Sequence, residues 1–176
     1  LKRGGKLGFY NTDSSGNLID GYIFNADIDL GGDTFDTVDT FSGKLIGNGY
    51  SLKNFRLSMK PKRMDQDKHK DLALFLELDG AEIENLTISD VNMEISMSSG
   101  VSLNAAPLAI EAKGVKLKNV KLINISMDTG KGDDGEALYK LGDLFVSHTG
   151  STLDDVSGEN IEFQASEFAE ILRLLD

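Results

Sequence analysis

The chain has 176 residues, enough for one domain with a sizeable core, and its 40 % hydrophobic content is ordinary for a globular protein. Its net charge of −11 disfavours partners such as nucleic acid or anionic membrane, because their phosphates repel an acidic surface. The lack of cysteine excludes disulfides and cysteine catalysis, and no apolar run approaches the roughly 20 residues that span a bilayer. The chain starts at Leu1 without a signal peptide, so we expect a mature form or an excised domain.

A polar segment near the N-terminus has metal-ligand chemistry. Asn11, Asp13 and Ser15 offer oxygen atoms at alternate positions before Gly16, as calcium loops do. The twelfth position is Tyr22, however, where an EF-hand carries Glu. A tight turn explains the same segment, because Asn, Asp, Ser and Gly are turn formers. Calcium is therefore one interpretation of this segment beside the turn, and no other cofactor is predicted.

A phrase that begins with glycine recurs four times along the chain. Its starts are 31, 34 and 36 residues apart, a period typical of stacked-repeat proteins. Three residues after each glycine stands an aliphatic residue, and five after it an amide or a carboxylate, so we expect each set to form one stacked column. The glycines are Gly49, Gly80, Gly114 and Gly150, the aliphatic residues are Leu52, Ile83, Leu117 and Leu153, and the polar residues are Asn54, Asn85, Asn119 and Asp155.

The spacing within each phrase predicts strands. Apolar and polar residues alternate, as in a strand with one buried face, and the alternation slips at the Asn position, which indicates a bend. We expect the stacked amides at this bend to hydrogen-bond to one another. A third apolar segment precedes each glycine. The sequence therefore predicts an all-β fold, a right-handed parallel β-helix (solenoid) of about four to five coils with strands about 4.8 Å apart.

Extra residues occur at one place in each repeat, at 60–70, 98–106 and 128–140. Equivalent positions in a solenoid lie along one edge, and loops there often form a binding face. The first of these insertions is mainly basic and the third mainly acidic; solvated charge on loops explains this, and contacts with a partner are the alternative. The candidate binding residues are Lys60, Lys62, Arg63, Lys68, His69, Lys70, Asp128, Asp133 and Asp134.

The alternative function is that of a carbohydrate-active β-helix enzyme, similar to a polysaccharide lyase or a glycoside hydrolase. Such enzymes need clustered carboxylates and a basic residue on the strand faces, whereas the outward acids here are scattered among lysines. His69 and His148 lie on different segments without cysteine, which disfavours zinc. No Gly-x-Ser-x-Gly elbow occurs, although a Ser/His/Asp arrangement stays open. We predict no catalytic residue; the acids considered are Glu77, Glu82, Glu84, Glu94 and Glu111.

The C-terminal segment has the apolar spacing of a helix, and Ser166 is a suitable N-cap. Because a strand stack exposes an open edge at each end, we predict that this helix covers the C-terminal end. The alternative is that the apolar stripe continues into another domain. The predicted organisation is a single β-helix domain over 1–176, with a lead-in at 1–21, coils at 22–163 and a helical cap at 164–176.

The repeats resemble the GLUG-type repeats of bacterial surface proteins. Residues 41–54, Phe-Ser-Gly-Lys-Leu-Ile-Gly-Asn-Gly-Tyr-Ser-Leu-Lys-Asn, look like that family's opening phrase, and residues 74–86 look like its core phrase. Residues 22–30 match the segment that often precedes them. The resemblance covers 20–127 well and 128–163 poorly. It extends to the non-catalytic β-helical part of streptococcal IgA-protease-like surface metalloproteases, whose His-Glu-x-x-His zinc motif this chain lacks.

The resemblance implies a location outside the cell or on the bacterial cell surface. We therefore expect a non-catalytic domain that serves adhesion, spacing or partner recognition. Its expected partner is a host or cell-surface protein or glycan, and its expected state is a monomer or a part of a larger chain. A domain that supports a distant protease site in a longer protein is a third reading, which merges with the first unless the whole gene is seen.

Overall fold

The computed structural model describes residues 7–9, 21–59, 69–95, 101–129, 139–165 and 169–175. Every regular element among them is a β-strand, which confirms the predicted all-β class. The strands are β1 (Leu7–Phe9), β2 (Gly21–Phe24), β3 (Ile28–Asp29), β4 (Val38–Phe41), β5 (Lys44–Ile46), β6 (Ser51–Met59), β7 (His69–Leu72), β8 (Phe75–Asp79), β9 (Glu82–Ile95), β10 (Ser102–Ala105), β11 (Ala109–Lys113), β12 (Lys116–Asp128), β13 (Tyr139–Gly142), β14 (Phe145–Thr149), β15 (Thr152–Gln164) and β16 (Ala169–Leu172).

The strands form three sheets. The first has eight strands in the order β1-β2-β5-β9-β12-β15, with β6 beside β9 and β3 beside β6. The second has the order β7-β10-β13-β16 and the third the order β4-β8-β11-β14. Apart from the antiparallel pairing of β1 with β2, all pairings of these strands are parallel.

Successive repeats add one strand to each sheet. β7, β8 and β9 follow one another along the chain and belong to three different sheets, as do β10, β11 and β12, and then β13, β14 and β15. In the third sheet, Glu77 of β8 pairs with Glu111 of β11, which pairs with Ser147 of β14. These steps of 34 and 36 residues equal the spacing of the last three glycine phrases, so the repeat in the sequence is the repeat of the sheets.

The core is a single apolar cluster to which all three sheets contribute. In β12 the alternation of the side chains buries Leu117, Val120 and Leu122, and each pairs with a buried residue of β9. Leu103 of the second sheet and Phe145 of the third are fully buried in the same cluster. Each such side chain contributes about 1.5–3 kcal/mol of hydrophobic stabilisation. The apolar side chains of successive layers therefore share one core.

The long strands bend at asparagine and aspartate residues with positive φ. In β12 these are Asn119 (φ 50°) and Asn124 (φ 55°), and this left-handed conformation is one that Asn and Asp tolerate better than most other non-glycine residues. Stacked amides connect the layers, as expected, because Asn119 Nδ2 donates to Asn85 Oδ1 at 3.0 Å. A second ladder, which the sequence did not predict, runs from Asp90 to Asn124 and then to Asn160, again at 3.0 Å per step.

The predicted column of aliphatic residues is wrong for Leu52. Ile83 pairs with Leu117 and Leu117 with Leu153, but Leu52 pairs with Ile88, and Leu45 lies opposite Ile83. The reason is a tight turn between β5 and β6, in which the Tyr50 amide donates to the Gly47 carbonyl at 2.9 Å. Because of this turn, the strand of the first phrase pairs with β9 one bend further along than the repeat spacing predicts.

The same shift moves Asn54. It stands opposite Asp90 rather than Asn85, since Phe55 pairs with Val91. Its amide donates to Asp29 Oδ1 at 3.0 Å. The predicted polar column therefore holds for Asn85, Asn119 and Asp155, whose φ angles lie between 50° and 53°. Asn54 lies instead in the register column of Asp90.

The predicted C-terminal helix is also wrong where the structure describes that segment. Residues Ala169–Leu172 form β16, which pairs with Tyr139–Gly142 of β13. The open edge of β13 supplies backbone partners along the whole segment, and this pairing overrides its helical apolar spacing. Beyond β16, Asp143 accepts hydrogen bonds from the Leu174 and Leu175 amides at 2.8–2.9 Å. Ser166, the expected N-cap, lies outside the described residues.

Candidate functional site at the insertion edge

The three predicted insertions are not loops throughout, because residues 69–70, 102–105 and 139–140 belong to β7, β10 and β13, with Leu103 and Ala105 fully buried. The remaining residues of each insertion connect neighbouring strand ends. β6, β9 and β12 end side by side, with Met59 opposite Ile95 and Glu94 opposite Asp128. β7, β10 and β13 begin side by side in the second sheet, with Leu103 opposite both Lys70 and Tyr139. The connections between these ends therefore leave from one line and return to another, as the prediction of a shared edge requires. We call these two lines of strand ends the insertion edge.

The structure describes three of the predicted binding residues. His69 and Lys70 open β7, and Asp128 is the last residue of β12. His69 belongs to the cluster described next, and both Lys70 and Asp128 also have interaction partners. The other candidates lie outside the described residues: Lys60, Lys62, Arg63, Lys68, Asp133, Asp134 and the calcium candidates Asn11, Asp13 and Ser15.

A polar cluster lies at the insertion edge where β7 and β10 begin. His69 pairs in register with Ser102, and Asp71 with Asn104, so four polar side chains share the outer face of two adjacent strands. His69 Nδ1 lies 2.7 Å from Ser102 Oγ, and His69 Nε2 lies 3.1 Å from Asp71 Oδ1. Asn104 Nδ2 donates to Asp71 Oδ1 at 3.0 Å. The cluster is therefore a continuous chain of hydrogen-bonding groups across two layers.

The roles of the two His69 ring nitrogens depend on which of them carries the proton. In the tautomer protonated at Nε2, this nitrogen donates to the Asp71 carboxylate, which only accepts. In the neutral ring Nδ1 then accepts from the Ser102 hydroxyl, and the 3.1 Å approach of Asn104 Nδ2 to Nε2 joins two donors and is not a hydrogen bond. The order serine, histidine, carboxylate is that of a nucleophilic triad, but the ring nitrogens are exchanged relative to it.

Exposure also separates this cluster from a triad. The His69 side chain is 49 % exposed and that of Asp71 34 %, whereas the acid of a serine-hydrolase triad is buried. Water screens the charges here, so the cluster has little means of activating Ser102. It is well suited to offering hydrogen-bond donors and acceptors to a polar ligand. The sequence analysis missed Asp71, Ser102 and Asn104. The signal that could have found them is a pair of polar residues two positions apart, which stands directly before Leu72 and again directly before Ala105.

Four of the five outward carboxylates that the sequence raised lie beside a lysine, either on an adjacent strand or on the same one. Lys113 Nζ lies 2.7 Å from Glu77 and 3.1 Å from Glu111, and hydrogen bonds first to Glu77 and then to Glu111 raise the pKa of this lysine. Lys116 donates to Glu82 at 2.9 Å, and this bond lowers the pKa of Glu82 despite some burial. Of the remaining acids that the sequence raised, Glu84 lies 3.5 Å from Lys44 and Glu94 accepts from Asn92 at 3.1 Å.

The described part of the chain contains no group of three or more His, Cys, Asp and Glu side chains placed to hold a metal ion. Within the same residues, no helix has the length and apolarity to cross a membrane. Compared with known proteins, the chain matches no family model, no curated protein and no solved structure. The proposals below therefore rest on the repeat, the sheets and the chemistry of the surface.

Proposed function

We propose that this chain is a non-catalytic domain of a bacterial cell-surface or secreted protein, and that it serves adhesion, spacing or partner recognition. Its finer architecture, in this proposal, is a right-handed parallel β-helix. Three strands per repeat, one in each sheet, support that architecture, as do the equal steps of 34 and then 36 residues in the first and third sheets. The GLUG-type resemblance supports the location outside the cell or on its surface.

The pairing of the outward acids favours a non-catalytic role. A glycoside hydrolase needs one carboxylic acid that stays protonated, which requires a raised pKa, beside an ionised carboxylate. Glu82 has the opposite shift, and Glu77, Glu84 and Glu111 lie beside lysines. Ion pairs between layers are what a scaffold needs, since they neutralise like charges stacked in one column.

The observation that carries partner recognition is the alignment of the insertion edge. Three insertions of the repeat attach along the same two lines of strand ends, and His69, Asp71, Ser102 and Asn104 present polar groups directly beside them. A rigid parallel scaffold with variable segments on one edge is a common arrangement for binding. We infer that a host or cell-surface protein or glycan binds there.

Binding at this edge can be tested on an array of mammalian glycans and extracellular-matrix proteins. The variant replaces Lys60, Lys62 and Lys68 by serine, and the matched control replaces Lys116, Lys118 and Lys121 on β12 by serine, which removes the same charge. Loss of the array signal in the first variant alone supports the proposal. Equal loss in both variants, or no loss in the first, contradicts binding through the insertion edge.

The enzymatic alternative has its own assay. Turnover of any polysaccharide by the isolated chain, abolished by Glu84→Gln, would overturn the non-catalytic proposal. Ser102 gives a second readout, because an activated serine reacts with a fluorophosphonate probe and an ordinary one does not. We expect no labelling of Ser102 by intact-mass measurement. Labelling that His69→Gln abolishes would show an activated nucleophile.

A further inference from the structure

Three side-chain atoms of the polar cluster form a nearly equilateral triangle. His69 Nε2 lies 3.1 Å from Asp71 Oδ1 and 3.1 Å from Asn104 Nδ2, and the third side, from Asn104 Nδ2 to Asp71 Oδ1, is 3.0 Å. His69 and Asp71 stand two residues apart on β7, and Asn104 lies opposite Asp71 on β10. Beside Asn104, Leu103 is fully buried on the inner face. The triangle therefore stands on two regular strands that the core holds in place.

Hydrogen bonds cannot satisfy all three sides of this triangle at once. With the proton on Nε2, His69 donates to Asp71, but the Asn104 amide group then faces a second donor. With the proton on Nδ1, His69 Nε2 accepts from Asn104 but faces the Asp71 carboxylate, which only accepts. A half-turn of the amide brings its oxygen against that carboxylate instead. One side is unfavourable in every arrangement, whereas a cation bound by all three atoms satisfies each of them.

The size of the triangle matches one face of an octahedral coordination sphere. Neighbouring ligands of such a sphere are separated by √2 times the metal–ligand distance, so bonds of about 2.1–2.2 Å to nitrogen and oxygen place them about 3.0–3.1 Å apart. A tetrahedral ion with bonds of about 2.05 Å needs ligands about 3.3 Å apart. The observed sides of 3.0–3.1 Å therefore favour a six-coordinate ion.

The ligand types and their support also suit a metal ion. The triangle offers an imidazole nitrogen, a carboxylate oxygen and, after the half-turn of Asn104, an amide oxygen. Only two of these three residues are of the His, Cys, Asp and Glu types considered above. Ser102 Oγ lies 2.7 Å from His69 Nδ1, so it can accept the Nδ1 proton and leave the Nε2 lone pair for the ion. Metal-binding histidines have outer partners of this kind, which fix the tautomer and the ring orientation.

We propose that His69 Nε2, Asp71 Oδ1 and Asn104 Oδ1 bind one six-coordinate divalent transition-metal ion, with Ser102 as a positioning residue. The His69 and Asp71 side chains are 49 % and 34 % exposed, so the opposite face of the ion is open to water. The imidazole ligand favours such an ion over Mg²⁺ or Ca²⁺, which prefer oxygen. The site goes beyond the proposed function and does not rest on it, because the isolated chain binds the ion without a partner.

Calorimetric titration of the chain with Ni²⁺, without a histidine tag, measures this binding. We expect one ion per chain, and an excess of Mg²⁺ should not compete. His69→Ala removes a ligand and should weaken binding at least as much as loss of an outer partner does, about 10–100-fold. The matched control is His148→Ala, a change at the second of the two histidines, exposed on β14, which should leave the affinity unchanged. Circular dichroism checks that both variants fold.

Two further variants separate a metal site from a structural hydrogen bond. Asn104→Asp places a second carboxylate opposite Asp71 and should lower the melting temperature without metal, because like charges repel across paired strands. With Ni²⁺ the new carboxylate is a stronger ligand, so the affinity should rise at least about tenfold and the melting temperature should recover. Ser102→Ala should lower the affinity about 10–100-fold, because it frees the imidazole to turn and to change tautomer.

Three results would overturn this proposal. The first is equal Ni²⁺ affinity of the His69→Ala variant and the unmodified chain, which includes the case of no binding by either. The second is an Asn104→Asp variant whose Ni²⁺ affinity is unchanged or lower, since Asn104 would then serve only as a hydrogen-bond donor. The third is competition by Mg²⁺ at equal concentration, which indicates binding to carboxylates alone. All three use the isolated chain, so they are independent of the array that tests partner recognition.

Discussion

The side-chain amide of Asn119 donates a 3.0 Å hydrogen bond to the side-chain oxygen of Asn85, one strand away in the large sheet. Both residues have positive φ, 50° and 53°, so the same two positions also bend their strands. One residue type thus performs two tasks, since Asn tolerates the left-handed conformation and its amide has both a donor and an acceptor. A substitution at such a position therefore affects both the hydrogen bond between layers and the bend of the strand.

Separating these tasks gives the first prediction. Asn119→Gly keeps the positive φ and removes the ladder bond, and should lower the free energy of unfolding by about 0.5–1.5 kcal/mol. Asn119→Ala also loses the ladder bond but keeps a Cβ in the left-handed conformation without the polar side chain that lets Asn adopt it, and should cost about 1–2 kcal/mol more than Asn119→Gly. Urea denaturation of both variants measures the difference. Equal losses in the two variants would show that the backbone conformation at this position carries no strain.

A second prediction concerns the column of Ile83, Leu117 and Leu153. Ile83 is fully buried, so Ile83→Ala should destabilise the fold by about 2–5 kcal/mol. Leu153 lies in the same column but on the last strand, and Leu153→Ala should cost less than about 1 kcal/mol. Comparing the free energies of unfolding of the two variants in a denaturant melt shows how far the loss depends on the burial of the side chain. A loss at Leu153 as large as that at Ile83 would show that the greater exposure of Leu153 does not reduce its contribution to stability.

The carboxylate of Asp143 supports a third prediction. It is buried and accepts the amides of Leu174 and Leu175, which fixes the tail that covers part of the C-terminal end. Asp143→Asn should weaken these bonds by about 1–3 kcal/mol, because an amide replaces the charged acceptor. Trimming of the C-terminus by carboxypeptidase should then be faster than in the exposed control Asp79→Asn. Identical trimming of both variants would show that Asp143 does not hold the tail.

The hydrogen bond from Lys116 to Glu82 gives a fourth prediction, on pH. This bond lowers the pKa of Glu82 from its ordinary value of 4.5, so the ionised form is favoured in the folded state. The resulting stability is present above pH 4.5 and is lost as pH falls through the lowered folded pKa. The unmodified chain should therefore melt at a higher temperature than the Glu82→Gln variant near neutral pH, and this difference should shrink as the pH falls. Parallel pH profiles of the two melting temperatures would contradict this assignment.

Much of the fold could be predicted from the sequence, because burial on one face imposes a period of two that the phrases display directly. The class, the parallel strands and the ladder of Asn85 and Asn119 follow from that pattern. The register of β6 could not be predicted, since Ile83 and Ile88 are both inward apolar positions and Leu52 fits either equally well. The turn between β5 and β6 decides between them, and its geometry is not encoded in the alternation.

Candidate sites were harder to predict than the fold. The contact of His69 with Ser102 depends on the pairing of β7 with β10, whose step of 33 residues differs from the 34 of the neighbouring sheets. The error at β16 has a similar cause, because a free strand edge on β13 determined the outcome and the local helical spacing did not. Long-range pairing decided both features, and a single sequence records it only indirectly.

The layered parallel register is the central claim, and cysteine cross-linking tests it most directly because the chain contains no cysteine. Ser51, Thr87, Lys121 and Ser157 form one column through β6, β9, β12 and β15. Double variants with cysteine at neighbouring members of this column should form disulfides on mild oxidation, since paired strands lie about 4.8 Å apart. The control pair of cysteines at Ser51 and Glu82, which the phase of the sequence repeat would place together, should not. Efficient cross-linking of that control pair, with none between the positions of Ser51 and Thr87, would contradict the register and the layered fold built on it.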